Sequence, residues 1–148
     1  MARLPKTTED AVGELHLPEG GSVLLVGPAG GYVEATVESV GSGGTVRVQD
    51  PPPDLDAADA EVVEAPGDGH DAVVVWMGSV VLHELGDYAS AVTDGGTLWT
   101  LVHSSSREFR AQVTEGEVKR YLLPLGWRQA GGAVRLEKDL SALRHVRR

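Results

Sequence analysis

The stretch Ser22 to Val40, SVLLVGPAGGYVEATVESV, constrains the fold more than any other part of the chain. It opens on an apolar run that ends at Gly27 and passes through a glycine-rich turn. It leaves with Val33, Val37 and Val40 spaced i, i+4 and i+7, which places the three valines along one face of a helix. A short, valine-rich run of this kind reads as a strand buried on both faces. A buried strand followed by a helix calls for a parallel neighbour reached by a crossover, and such crossovers are right-handed almost without exception. GSGG, Gly41 to Gly44, ends the helix, and TVRVQ from Thr45 reads as the second strand.

The same alternation continues. DPPPDLDAADA, Asp50 to Ala60, starts with three consecutive prolines that fix φ and remove donors, so the second crossover is short and stiff rather than a long helix. EVVEA is a third strand, and after the turn PGDGHD comes AVVVWM, the most apolar run and the expected central strand. Val80, Val81, Leu85, Tyr88, Ala91 and Val92 form a broad helical stripe. TDGG is expected to end that helix and feed TLWTLV as the fifth strand. Thr114 and Glu117 have the spacing of a capping box ahead of a helix through Leu123, which Pro124 and Gly126 interrupt. WRQAGGAVRLEKDLSALRHV reads as two strands around the turn EKD. The pattern predicts an α/β fold: a single Rossmann-like three-layer sandwich over residues 1–148, with residues 1–17 as a lead-in. Its sheet is mostly parallel and closes on an antiparallel C-terminal hairpin.

At 148 residues the chain is long enough for a sizeable core and too short for a cofactor domain plus a separate catalytic domain. The 22 acidic against 13 basic residues, a formal net charge of −9, exclude a general electrostatic grip on nucleic acid or anionic lipid. The basic end RHVRR, Arg144 to Arg148, is expected to be a solvated strand end. Cysteine is absent, which removes disulfides, thiolate chemistry and Cys-based metal sites. The opening residues have no apolar h-region, and no apolar run approaches the ~18 residues that span a bilayer. The expectation is a soluble cytoplasmic protein without metal, membrane or nucleic-acid partner. A small-molecule ligand is within its means, and the oligomeric state is left open.

Ligands of parallel α/β sheets sit beyond the carboxyl ends of the strands. That rule nominates Gly27 to Gly31, Asp50, Met77 to Ser79, and His103 to Arg107. The GPAGGY turn has glycines for close backbone approach at a helix start, as dinucleotide and adenosyl sites require; the same glycines also suit a tight turn with no ligand. It is no P-loop, because no Lys followed by Ser or Thr comes after the glycines. Asp50 is placed to accept from a ribose diol with both oxygens, or else simply to start a turn before the prolines. His83 has Asp87, not a second His, four residues on, so it carries no zinc signature.

The order of elements resembles the Rossmann-like core of class I S-adenosylmethionine methyltransferases, whose last strand returns antiparallel through a terminal hairpin. DAVVVWMGSVVLHELGDYASAVTDGGTLWTLV is similar to their central strand, helix, glycine turn and fifth strand. From Leu15 to Arg148 the chain also resembles a small bacterial family known only as a domain of unknown function, through the opening around LPEG and GPAGGY, LPLG at Leu123 to Gly126, and SALRHVRR at Ser141 to Arg148. The methyltransferase resemblance implies S-adenosylmethionine as cofactor, held by Gly27, Pro28, Ala29, Gly30, Gly31 and Asp50. Leu25 stands where that family has an acid, and Ala29 where it has the middle glycine. Pro28 removes one N–H.

For the acceptor side, Trp76, Met77 and Gly78 end the central strand and are candidates for a substrate pocket. His103 leaves the fifth strand at the same edge and is the candidate proton acceptor, since imidazole titrates near neutrality. Trp99 and Trp127 are assigned to the core or an interface. Two functions of different class follow: an adenosyl-ligand protein with methyltransferase activity, and a non-catalytic scaffold that has lost the cofactor site. A nicotinamide dinucleotide binder ranks below both, since no Tyr-x-x-x-Lys pair is present. An open space beside Gly27 and Asp50 favours the first, and a space filled by Tyr32 and Pro51 to Pro53 the second.

Overall fold

The computed structural model describes residues 7–28, 31–51, 60–77, 82–103, 114–137 and 140–147. Its elements run α1 (Thr8–Gly13), β1 (Ser22–Val26), α2 (Tyr32–Val40), β2 (Thr45–Gln49), β3 (Ala60–Val63), β4 (His70–Trp76), α3 (Leu85–Ser90), β5 (Val92–His103), α4 (Glu115–Leu122), β6 (Trp127–Gln129), β7 (Val134–Glu137) and β8 (Leu140–Arg147). They form one sheet of order β3-β2-β1-β4-β5-β8-β6, with β7 also paired to β8. The first five strands are mutually parallel, and β8 returns antiparallel to β5. This is the α/β architecture predicted from the alternation of apolar runs and helical stripes.

Two apolar layers sandwich the sheet. On one face Val23, Leu25, Val48, Val74, Trp76, Trp99 and Leu101 pack under α1 and α2. On the other, Leu24, Val26, Val73, Val75, Leu98 and Trp127 pack under α3 and α4. Val23 to Val26 and Val73 to Val75 are all fully buried, because β1 and β4 lie at the centre of the sheet with both faces covered. The odd and even positions of each strand divide between the two layers, as the two-residue period demands.

Three expectations need correction. The helix before β5 ends at Ser90, with Ala91 as its C-cap, and Val92 already belongs to the strand. Thr93 to Gly96 therefore lie inside β5 as an irregularity: β4 advances from His70 to Ala72 while its partner advances from Val92 to Thr97. Val80 and Val81 lie outside the described residues. The C-terminal segment makes three strands, not two, because Trp127–Gln129 and Val134–Glu137 pair with different halves of β8. The end RHVRR is only partly solvated. Arg144 and Arg147 are exposed, but His145 points inward at 1% exposure, and Arg147 is held by Asp94 and lies 5.2 Å from the Trp127 ring centroid.

Candidate functional site

The strand order reverses between β2-β1 and β4-β5, so the loop after β1 stands at the topological switch point, where open α/β sheets leave a crevice. Gly27 ends β1 with φ +66, and Gly31 precedes α2 with φ +88, both in the left-handed region that a Cβ disfavours. No side chain caps α2 among the described residues, so the N–H groups of its first turn have no side-chain acceptor. The Gly27 N–H is not free, since it donates to the Gln49 carbonyl at 2.8 Å and extends the β1–β2 ladder by one bond. Pro28 is buried, and Ala29 and Gly30 lie outside the described residues.

That same bond sets Asp50 beside the loop. Asp50 follows Gln49 at the carboxyl end of β2, is exposed, and has φ +52. Aspartate tolerates this left-handed conformation better than most residues, and such outliers concentrate at functional positions. On the α3 side, the Gln49 amide nitrogen donates to the Tyr88 hydroxyl at 3.2 Å. Burial, with the carboxylates of Glu84 and Asp50, raises the Tyr88 phenol above its ordinary range.

The other half of the edge is built from β4, β5 and β7. Trp76, the last residue of β4, is 4% exposed, and its indole N–H is buried without an acceptor among the described residues. The Tyr32 ring meets Trp76 edge-on, with centroids 5.3 Å apart and planes at 72°. The Tyr32 hydroxyl donates to Glu137 Oε2 at 2.7 Å, across 105 residues of sequence. Burial first, and then the Glu137 carboxylate, push the Tyr32 phenol well above its usual value and keep it a proton donor. Met77 is buried in the α3–α4 layer, and its N–H donates to the Leu101 carbonyl at 2.9 Å. Gly78 lies outside the described residues.

His103 ends β5 opposite Leu140 of β8, and Glu137 of β7 stands opposite the same Leu140 from the other edge. By the strand period His103 shares the face of Trp99 and Leu101, which is also the face of Trp76 and Tyr32. The structure thus brings His103, Trp76, Tyr32 and Glu137 to one end and one face of the sheet, with Gly27, Gly31 and Asp50 next to them on the far side of β1. Sequence reasoning missed Glu137, since it sits in the expected turn EKD, and no local pattern ties it to Tyr32. The ring contact and hydrogen bond of Tyr32 lie toward β4 and β7, and Pro52 and Pro53 are outside the described residues.

A separate cleft of about 710 Å³ opens at the opposite, amino end of the strands, over Leu15, Ala72, Trp99 and Val134. Among the described residues no group of three or more His, Asp or Glu is placed to hold a metal ion. No helix there is long and apolar enough to cross a membrane.

No family model and no curated protein matches the chain in sequence. Solved structures do match it in shape. An S-adenosylmethionine-dependent methyltransferase from Aquifex aeolicus superposes with a TM-score of 0.74 at 22% identity, covering 93% of this chain and 88% of the other. Precorrin-6y C5,15-methyltransferase from Geobacter metallireducens gives 0.66 at 11% identity over 95% and 87% of the two chains. Aeropyrum pernix fibrillarin, with natively bound S-adenosyl-L-methionine, gives 0.63 at 15% identity over 87% and 67%. At these identities the likeness speaks for architecture, and the chain has the Rossmann-like fold of the class I S-adenosylmethionine-dependent methyltransferases.

Proposed function

We propose that the protein binds S-adenosylmethionine, or a related adenosyl ligand, at the carboxyl edge of β1, β2 and β4, and that it is a methyltransferase for a small molecule. The observation that carries this reading is the placement of Asp50. An exposed carboxylate in a left-handed conformation stands at the end of β2, joined through the Gln49 carbonyl to the Gly27 turn at the switch point. That is where a ribose diol needs an acceptor with two oxygens. The residues present fit the nucleoside half of such a ligand through Asp50. They fit the amino-acid half through Gly31 and the uncapped start of α2, whose N–H groups suit a carboxylate. The Trp76 indole N–H, without an acceptor among the described residues, supports a polar ligand group on the β4 side.

When bound, the cofactor supplies a methyl group carried on a sulfonium. The chain's part is to hold the acceptor in line and, where the acceptor carries a proton, to take it. His103 is the proposed base and Trp76 the proposed acceptor wall; of the other two residues expected there, Met77 is buried on the opposite face of the sheet and Gly78 lies outside the described residues. Likeness to the small bacterial family of unknown function adds no chemistry to this reading.

A second reading, a non-catalytic scaffold, is favoured by specific observations. Leu25, where the methyltransferase pattern has an acid, is fully buried among apolar side chains; Pro28 has no N–H; and the Gly27 N–H is already spent on Gln49. Titration calorimetry with S-adenosylmethionine, S-adenosylhomocysteine and NAD separates the readings. Binding of the first two, lost in Asp50→Ala, supports the cofactor site. No heat with any of the three at millimolar ligand leaves the scaffold.

A further inference from the structure

Tyr32 is the first residue of α2 and follows Gly31 directly, so whatever holds its side chain also sets where the glycine turn ends. Beyond its packing in the apolar core, two directional contacts orient it, and both come from distant parts of the chain: the Trp76 indole at the end of β4 and the Glu137 carboxylate at the end of β7. The helix start has no side-chain cap and is entered through a left-handed glycine, so no hydrogen bond from a local side chain fixes it. From this geometry we infer that Glu137 is a positioning residue, which braces the start of α2 through the Tyr32 hydroxyl and so holds Gly31 and the first turn of α2 where they receive the amino-acid half of the adenosyl ligand.

The inference rests on the cofactor reading above and adds a residue to it. The brace has a direction. Tyr32 is restrained from β4 and β7, whereas Asp50 reaches the loop from β2 on the other side of β1. Loss of the brace therefore acts on the half of the ligand that lies against α2, and the nucleoside half keeps its partner. Tyr32 is 3% exposed and remains protonated, so the bond asks only for an oxygen acceptor at position 137. An amide oxygen serves as well as a carboxylate.

The test compares S-adenosylhomocysteine and adenosine by calorimetry on the full chain and on Glu137→Ala, Tyr32→Phe and Glu137→Gln. Affinity for S-adenosylhomocysteine is expected to fall about fivefold to tenfold in the first two, the scale of one net hydrogen bond, with adenosine unchanged and Glu137→Gln close to wild type. In the ligand-free protein, amide exchange at Ala35, whose N–H donates to the Gly31 carbonyl at 3.2 Å, is expected to quicken in Glu137→Ala while β4 and β5 stay protected. If wild type binds both probes and the variants bind them equally well, the brace is overturned and the cofactor site stands. Equal weakening by Glu137→Gln overturns it too, because the charge and not the brace then matters. If wild type binds neither probe, the cofactor reading fails, and the ligand role of Glu137 fails with it.

Discussion

Two buried histidines carry different consequences. His70 is 1% exposed, its Nε2–H donates to the Pro66 carbonyl at 2.8 Å, and its Nδ1 therefore accepts from the Ser22 hydroxyl at 3.0 Å. Ser22→Ala leaves that nitrogen buried without a donor, and a loss of about 1–3 kcal/mol is expected in urea titrations. His145 bonds Thr100 at 3.0 Å between β5 and β8; burial first, and then Lys119, push its pKa from 6.5 down to about 4. The native state thus holds a neutral imidazole, and below pH 6.5 the unfolded chain takes up the proton first. Stability is full above that pH and falls as the pH drops toward 4, by up to roughly 3 kcal/mol from this group. The urea midpoint should drop between about pH 7.5 and about pH 5 in wild type, and His145→Gln should remove much of that drop. An unchanged pH slope in the variant would count against a buried neutral His145. Neither histidine stands out in the sequence, because a His in a turn or a basic tail reads as solvated until a partner strand covers it.

Elements were legible where a local period or cap writes them. Thr114 caps α4, its hydroxyl accepting from the Glu117 N–H at 3.2 Å as the capping-box spacing predicts, while the Glu117 carboxylate accepts from the Thr114 hydroxyl at 3.1 Å, where a full capping box has it accept from the backbone N–H. Thr114→Ala is expected to cost about 1 kcal/mol in thermal or urea unfolding. The start of β5 was illegible for a physical reason: TDGG carries turn residues, yet tertiary pairing with β4 makes it an irregular stretch of strand. Gly95, at φ +82, and Gly96, at a close backbone approach, permit this. A Cβ on Gly96 would meet the Asp71 carbonyl oxygen at 2.7 Å and Val92 Cγ1 at 2.6 Å, and the backbone atom cannot give way. Gly96→Ala should destabilise by about 1–3 kcal/mol, whereas Gly132→Ala, which meets nothing within 4 Å, should be nearly silent to the same measurement. A silent Gly96→Ala would show that the irregularity is not held in this form.

At the scale of the molecule, ligand binding is linked to unfolding. A ligand at about 100 times its dissociation constant adds roughly 2.7 kcal/mol, which for a chain of this size raises Tm by about 5–10 °C. S-adenosylhomocysteine should produce that shift in a thermal scan, and Asp50→Ala should abolish it, read against a ligand-free Tm lowered by about 2–4 °C because alanine accepts the left-handed φ of +52 less readily than aspartate. Sequence alone determined the alternation of buried strands and helices, hence the parallel sheet and its carboxyl edge, because periods of two and 3.6 residues and glycine turns are local properties. It also placed Gly27, Gly31, Asp50, Trp76 and His103 at that edge. Only the tertiary structure decided that the Gly27 N–H is consumed by Gln49, that His70 and His145 are buried, and that Glu137 reaches Tyr32 across 105 residues. Those depend on which strands become neighbours, and a hydrogen bond between residues far apart in the chain leaves no period for a sequence to display.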